Sequence, residues 1–484
     1  MCLISKASNN IITVFITLLL FCFCLSPVGC WKGCNGNKDV PAEFSFNLHP
    51  NQPKASGRGA VSVADMNGDG LMDYVVMTKT GDYGSGTAGM GVYKHDGSVL
   101  WYNHNIDIYN NGNAENHGLP GWSAPGYSKG DVDGDGQLKL VYIKEDLKTL
   151  VVLNGKTGEQ EKTINLDPDG NEPGFGLCQI VNLRGQGDKD VICQGWDIDH
   201  FNIVAAFRLD TGQRLWRRTD YVGVKHGGFR AVDIDNDGKD EVAGAVIIDD
   251  DGTRMNRWDY PVTINTHSAP HFDSIFIYDV RPDIPGLEII LLEEWWDSQE
   301  DHTSVVNQDR VIWRKHYNKW EPQNAAVGNF DTSKPGLEIW CRSRFDTDQK
   351  PWVHDAYGNV IANWVVNRKK PWGWSTKGIE AIYVIDWDGG DKQYIAAKER
   401  HIEGDVAVIN PMTGDFIKTW DNKASRIYVA DVFGDYREEI IVFNGEENKI
   451  FVYWNDAVNT NTKPSYWRKN YYVRQKDNFN YYSP

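Results

Sequence analysis

GFRAVDIDNDGKDEVAGAV, residues 228–246, holds a complete structural unit in one line: an apolar strand, an Asp/Gly loop and a second strand. Asp233, Asp235 and Asp237 alternate through the loop, Gly238 closes it and Glu241 follows, the oxygen-rich spacing that a hard cation such as calcium takes. The same residues also serve tight turns without any ion. Just upstream, KHGGFR (225–230) sets His226 and Arg230 four residues apart on an apparent strand. Side chains at that spacing share one face, about 13 Å apart at ~3.3 Å per residue. A histidine and an arginine directed into a cavity suit an anionic substrate.

The unit recurs. Clear copies start at 58 (RGAVSVADMNGDGLMDYVVM), 127 (YSKGDVDGDGQLKLVYI) and 177 (LCQIVNLRGQGDKDVICQG), and weaker ones at 273, 324, 379 and 426, which makes eight units. Their spacing, roughly 45 to 69 residues, is that of propeller blades with insertions. Several units continue into a second hairpin with a turn and a Trp, ending at Trp101, Trp216 and Trp420. Four short strands per unit predict an all-β fold, a β-propeller of seven or eight four-stranded blades. The expected division is a signal peptide over 1–29, an N-terminal extension over 30–56 and the propeller over 57–484. The signal peptide is read from Lys6, the apolar run Ile11 to Leu25 and the following SPVGC. Gly29 before Cys30 resembles a lipoprotein cleavage site, so the expected location is secreted, periplasmic or outer-surface, with Cys30 a candidate lipid anchor.

The chain of 484 residues carries a net charge of -17, which argues against nucleic acid as a partner. A monomer without a transmembrane segment is expected. Cys178 and Cys193 lie symmetrically about the turn at Arg184 to Gly187, so they should face each other across a hairpin, where an oxidising compartment could bridge them.

In a propeller, residues just before each inner strand and just after the second strand converge on one face. That rule collects Tyr221, His226, Arg230, His267, His271, Cys341, Arg342, Arg344, Lys398, Arg400 and His401, and the insertion before unit two adds His117, Trp122 and Tyr127. Such a face in an acidic protein suits a polyanionic sugar. Calcium is expected in two loops, at Asp65, Asn67, Asp69 and Asp73 and at Asp233, Asp235, Asp237 and Glu241. A third loop, at Asp131, Asp133 and Asp135, carries Lys139 where the closing carboxylate belongs. His267, His271, Cys341 and His401 are the right types for zinc. No GxSxG elbow, HExxH helix or phosphate loop is present.

With ENHGLPGW (115–122) and KHGGFR added to the repeat, the mature chain resembles secreted β-propeller polysaccharide lyases. The resemblance is to ulvan lyases of polysaccharide lyase family 24, with family 25 ulvan lyases and family 11 rhamnogalacturonan lyases as relatives in architecture. Eight units depart from the seven blades of the ulvan lyases and match the number associated with the rhamnogalacturonan family. The resemblance implies β-elimination on a uronate-containing, sulfated polysaccharide. It gives His117 the role of base and acid, with His226 as the second candidate, and makes Arg230 the neutraliser of the uronate carboxylate. Tyr221 would be a possible proton donor, and Trp122, Tyr127, Arg342, Arg344, Lys398 and Arg400 would bind substrate. The competing classes are a rhamnogalacturonan lyase, a non-catalytic integrin-like binding propeller and a quinoprotein oxidoreductase.

Overall fold

The strand, loop and strand of each unit form the inner half of a blade. The computed structural model describes residues 43–54, 59–79, 87–109, 125–195, 202–224, 228–264, 270–295, 301–317, 321–343, 349–400, 403–457 and 466–477. Among them are seven four-stranded antiparallel sheets. In unit one Ala60–Ala64 pairs with Asp73–Lys79 across the Asp/Gly loop, and the hairpin Ala88–Tyr93 and Val99–Ile106 adds the outer strands. The chain is a seven-bladed β-propeller. Inner strands such as Phe175–Val181 and His271–Tyr278 are buried along their whole length, because blades cover both of their faces. Outer strands such as Gln160–Asn165 are mostly exposed.

Unit four accounts for the difference between eight repeats and seven blades. It contributes only Arg230–Val232 paired with Glu241–Ala243. Beyond it the chain makes single bridges, Val242 with Ile248 and Ile248 with Arg254, and the DDDG turn at 249–252 lacks the β-branched alternation that sustains a ladder. The short sheet still holds a place in the ring. The Gln179 side chain of unit three bonds both the carbonyl and the amide of Ala231, at 2.8 and 3.1 Å, and Leu287 of unit five donates to the Ile234 carbonyl at 2.7 Å.

The ring closes on a strand that the sequence reading assigned to the extension. Glu43–Asn47 pairs antiparallel with Lys449–Tyr453 as the outermost strand of the last blade. The expected start of the propeller at 57 therefore falls after its first strand. The Trp residues that end the second hairpins clasp the next unit rather than closing their own. Trp101 donates to the Gly155 carbonyl at 2.7 Å and Trp364 to the Pro411 carbonyl at 2.8 Å. Each indole lies against a turn glycine at positive φ, Gly158 or Gly414, where an added Cβ would come within 2.5 Å of the ring.

Cys178 and Cys193 are cross-strand neighbours, as expected, but both are free thiols in the core between blades. The bridge that an oxidising compartment could form is not made between them. The Cys178 thiol points toward the Val141 carbonyl of the neighbouring blade, 4.0 Å away.

A helix, Asn470–Asp477, sits among the inner strands on the Asp/Gly-loop side and plugs the central channel. The Gln475 amide bonds both the N–H and the C=O of Ile277, at 3.1 and 2.8 Å. Lys476 pairs with buried Glu438 at 2.6 Å, Asp477 with Lys129 at 2.5 Å, and Arg474 with Asp188 and Asp240. No helix among the described residues is long and apolar enough to cross a membrane.

Candidate active site

Opposite the plug, inner strands begin in buried polar side chains. Four of them are irregular within their opening residues, between Phe175 and Leu177, Phe272 and Ser274, Pro322 and Asn324, and Glu380 and Tyr383. A bulge re-aims a side chain out of strict alternation, which is how neighbouring residues of one strand can serve one site. In unit five the irregularity falls at Asp273, while His271 stands directly across from Glu294. The His271 Nε2 lies 3.1 Å from Asp273 Oδ1 and 3.5 Å from Glu294 Oε2, and all three residues are buried. Burial raises the Asp273 carboxyl to about 7, and neighbouring Glu294 adds to the rise. Burial alone would lower the His271 imidazole, but its bonds to Asp273 and Glu294 outweigh that and hold it at about 9. His271 is thus the positive partner that the buried acids Asp273 and Glu294 face. One nitrogen and two oxygens within 4.8 Å of one another also fit a divalent cation, which would take over that role as the imidazole loses its proton.

The network runs on around the ring. The Gln323 amide donates to Glu294 at 3.4 Å and accepts from Arg342, whose guanidinium also reaches toward the Ile379 carbonyl at 3.5 Å. In unit seven Lys398 pairs with Glu380 at 2.8 Å, both fully buried, and donates to the Glu399 carbonyl. Arg426 opens the last inner strand, 1 % exposed and bonded to the Ser425 carbonyl at 2.7 Å. Val224, two residues before His226 in the chain, pairs in parallel with Phe272, between His271 and Asp273.

The residues predicted from sequence divide into three groups. Arg342, Lys398 and Arg400 are on this face but buried, held by protein partners. Tyr221, Arg230, Tyr127 and Cys341 are built into the wall. The Tyr221 hydroxyl donates to the Ala243 carbonyl at 2.8 Å, which ties up the expected proton donor, and burial raises its pKa. Arg230 is 1 % exposed and bonds the Gly228 and Phe229 carbonyls; burial lowers its guanidinium to about 10, and the nearby Tyr221, Tyr383 and Tyr278 hydroxyls oppose that. The Tyr127 hydroxyl meets Ser62 Oγ at 2.9 Å and the Val75 carbonyl at 3.1 Å, so its ring is no stacking platform. Cys341 lies 3.6 Å from Thr303 Oγ1 and its thiol is pushed up to about 12 by burial; the carboxylates Asp273 and Glu294, not Cys341, cluster with His271. His117, Trp122, His226, His267, Arg344 and His401 lie outside the described residues.

The Asp/Gly loops lie on the opposite face. Asp65 accepts from the amides of Gly68, Asp69 and Gly70, and Asp73 from Met66 and Asn67, so in unit one much of the carboxylate capacity goes to holding the turn. Burial, with Asp69 and Asp65 nearby, raises Asp73 to about 7. Unit four differs. Asp233, Asp235 and Glu241 cluster within 4.8 Å, and Asp233 Oδ1 and Glu241 Oε1 are buried without a hydrogen-bond partner. Asp237 spends one oxygen on the Lys239 amide and lies outside that cluster. Orphaned buried oxygens fit an ion that wants oxygen ligands, so calcium suits this loop.

A scan against family models matches residues 168–474 to Rhamnogalacturonan lyase family 11, C-terminal domain. The chain belongs to rhamnogalacturonan lyase family 11. Among curated relatives of this lyase family, it is 22% identical over 466 residues to rhamnogalacturonan exolyase YesX of Bacillus subtilis (strain 168), covering 83% of this chain and 72% of that one. It is 23% identical over 456 residues to rhamnogalacturonan endolyase YesW of the same organism, covering 81% and 66%. The solved structures of exotype YesX and of YesW superpose with TM-scores of 0.68 and 0.67 at 17% and 18% identity. Those superpositions cover 91% and 92% of this chain and 81% and 82% of the others. The resemblance to ulvan lyases thus gives way to the rhamnogalacturonan lyase family, which the sequence reading held as a relative. Asp273 and Glu294 are the site residues that reading missed. The signal was HFD at the head of an inner strand, together with the acidic end of the strand paired to it.

Proposed function

We propose that the protein is a rhamnogalacturonan lyase that cleaves next to a uronate by β-elimination. The observation that carries this is the buried His271, Asp273 and Glu294 cluster on the face where inner strands begin, in a chain of this family. The C5 proton of a uronate is a poor acid while its carboxylate keeps full charge, so neutralising that group stabilises the enolate-like transition state. A divalent cation held by His271, Asp273 and Glu294 would supply the positive charge for this. Arg342 and Arg426 are buried guanidinium groups on the same face and add to the field there. We assign the base to His226, supported by the pairing of Val224 with Phe272, and keep His117 as the second candidate. A neutral imidazole takes the C5 proton near neutral pH, and the bond to O4 breaks to leave a 4,5-unsaturated uronate. Secretion, read from the first 29 residues, belongs to the same proposal and suits a polymeric substrate.

The test is to incubate the purified protein with rhamnogalacturonan and follow the ultraviolet absorbance of the unsaturated product. His226→Ala should lower turnover by roughly 10²- to 10⁴-fold. Loss on His117→Ala instead moves the base to that residue. No unsaturated product at any pH or calcium concentration refutes the lyase.

A further inference from the structure

Between the last strand of unit six and the inner strand of unit seven the chain runs NRKKPWGWSTKG, residues 367–378. Trp372 in this segment is 101 % exposed, the full ring in solvent, whereas Trp374 two residues on is 4 % exposed and packs edge-on against Phe416 with ring centroids 5.0 Å apart. The segment is tied down on both sides of Trp372. The Val366 amide bonds the Gln349 carbonyl at 2.9 Å, Asn367 reaches the Thr376 carbonyl at 3.1 Å, and the Lys370 ammonium reaches the Trp374 carbonyl at 2.5 Å. The Ser375 amide bonds the Glu399 carboxylate at 2.5 Å, and the Arg400 amide bonds the Gly378 carbonyl at 3.0 Å. Those last contacts place the segment on the face that carries Lys398, Glu380 and Arg342. A loop tied at both ends that buries Trp374 and presents Trp372 to water is built to display that indole.

Charge indicates the occupant. Arg368, Lys369, Lys370 and Lys377 fall within ten residues that contain no Asp or Glu, in a chain whose net charge is -17. Arg368 and Lys377 are exposed in the same segment as the indole, whereas the exposed Lys369 pairs with Asp415 at 3.1 Å. An exposed indole in a segment that also exposes Arg368 and Lys377 matches a pyranose ring stacked on indole, with the carboxylates of neighbouring sugars on the basic side chains. We infer that Trp372, with Arg368 and Lys377, forms an accessory subsite that holds an acidic polysaccharide strand away from the point of cleavage. This rests on the reading of the substrate as a uronate-containing polymer.

Affinity electrophoresis of the full chain through gels holding rhamnogalacturonan, or dextran as a neutral control, tests it. Trp372→Ala should weaken retardation by rhamnogalacturonan about five- to tenfold, Trp372→Phe should restore part of it, and dextran should retard neither protein. Arg368→Ala/Lys377→Ala should weaken it chiefly at low salt. In kinetics, Trp372→Ala should raise KM on the polymer, leave kcat in place and leave the shortest cleavable oligosaccharide unaffected. Unchanged retardation by Trp372→Ala, equal retardation in dextran, or no retardation of the wild type overturns the subsite. Because the gel reads binding alone, Trp372-dependent retardation by a protein that makes no unsaturated product upholds the subsite while refuting the lyase. The ring is fully exposed, so an unchanged thermal transition is the control for folding.

Discussion

Lys139 sets its ammonium 3.2 Å from the Asp133 carboxylate and 2.8 Å from Glu161, at the loop-closing position that Asp73 and Glu241 fill in units one and four. The side chain of Lys139 is 6% exposed, so unit two carries its own cation where its neighbours present carboxylates. Chelation should therefore lower the thermal midpoint through unit four and leave unit two untouched. Glu241→Gln should remove part of the calcium response. Lys139→Gln should lower stability by about 1–2 kcal/mol, equally with and without calcium. Differential scanning calorimetry of both variants with calcium and with chelator decides this, and a calcium-dependent loss in Lys139→Gln counts against the substitution of lysine for ion.

Glu294→Gln keeps the shape of the side chain and removes one of two carboxylates beside His271. Turnover on rhamnogalacturonan should fall at least about 10²-fold with little change in the unfolding midpoint. Initial rates across a calcium titration measure it. Wild-type rates in the variant would place the chemistry elsewhere.

His354 is fully buried beside Trp313, with ring centroids 5.4 Å apart, and burial pulls its imidazole from 6.5 down to about 4. The folded pKa lies below the unfolded one, so the unfolded chain binds more protons between those values. The stability held by the neutral ring is complete above about 6.5 and drains away as pH falls toward 4, by on the order of 2–3 kcal/mol. His354→Leu should flatten that part of the stability profile. Urea midpoints at several pH values across the interval test the difference, and parallel profiles would show that the proton binds elsewhere.

Lys476→Met would leave Glu438, 0 % exposed in its side chain, without the ammonium 2.6 Å away. A loss of about 3–5 kcal/mol is expected, and adding Glu438→Gln should return most of it. A double-mutant cycle by urea unfolding gives the coupling. Additive losses would mean the plug does not depend on this pair.

Much of the fold was legible because one local pattern repeats: the apolar strand, the Asp/Gly turn and the Val/Ile strand appear together in every unit. What escaped is non-local. EFSFN at 43–47 has no turn of its own, since its partner KIFVY lies at 449–453. The helix Asn470–Asp477 is too polar to show an amphipathic stripe, because Arg474, Gln475 and Lys476 are satisfied by strand ends and carboxylates from several blades. Unit four displays the clearest motif yet builds the smallest sheet, because the motif specifies only the two inner strands. In the site, convergence on one face was readable, and burial was not. Arg230, Tyr221 and Lys398 have the chemistry of ligand binders, but packing of adjacent blades encloses them. His271 was chosen and its partners were missed, since a bulge at Asp273 breaks the alternation from which a shared face is deduced.

The pairing of Glu43–Asn47 with Lys449–Tyr453 has a consequence for self-association. Phe46 sends its ring over Tyr74 and Tyr93 of the first blade, with centroids 5.1 and 5.5 Å away, so this one strand covers the last blade's outer rim and laps onto the first. Without it, KIFVY, whose Ile450 and Val452 are buried, would offer a bare row of amides and carbonyls to any extended chain. A chain trimmed beyond Asn47 should keep most of its blades and yet dimerise or aggregate edge to edge. On that outcome the strand Glu43–Asn47 serves less to build the propeller than to keep each copy from completing its neighbour.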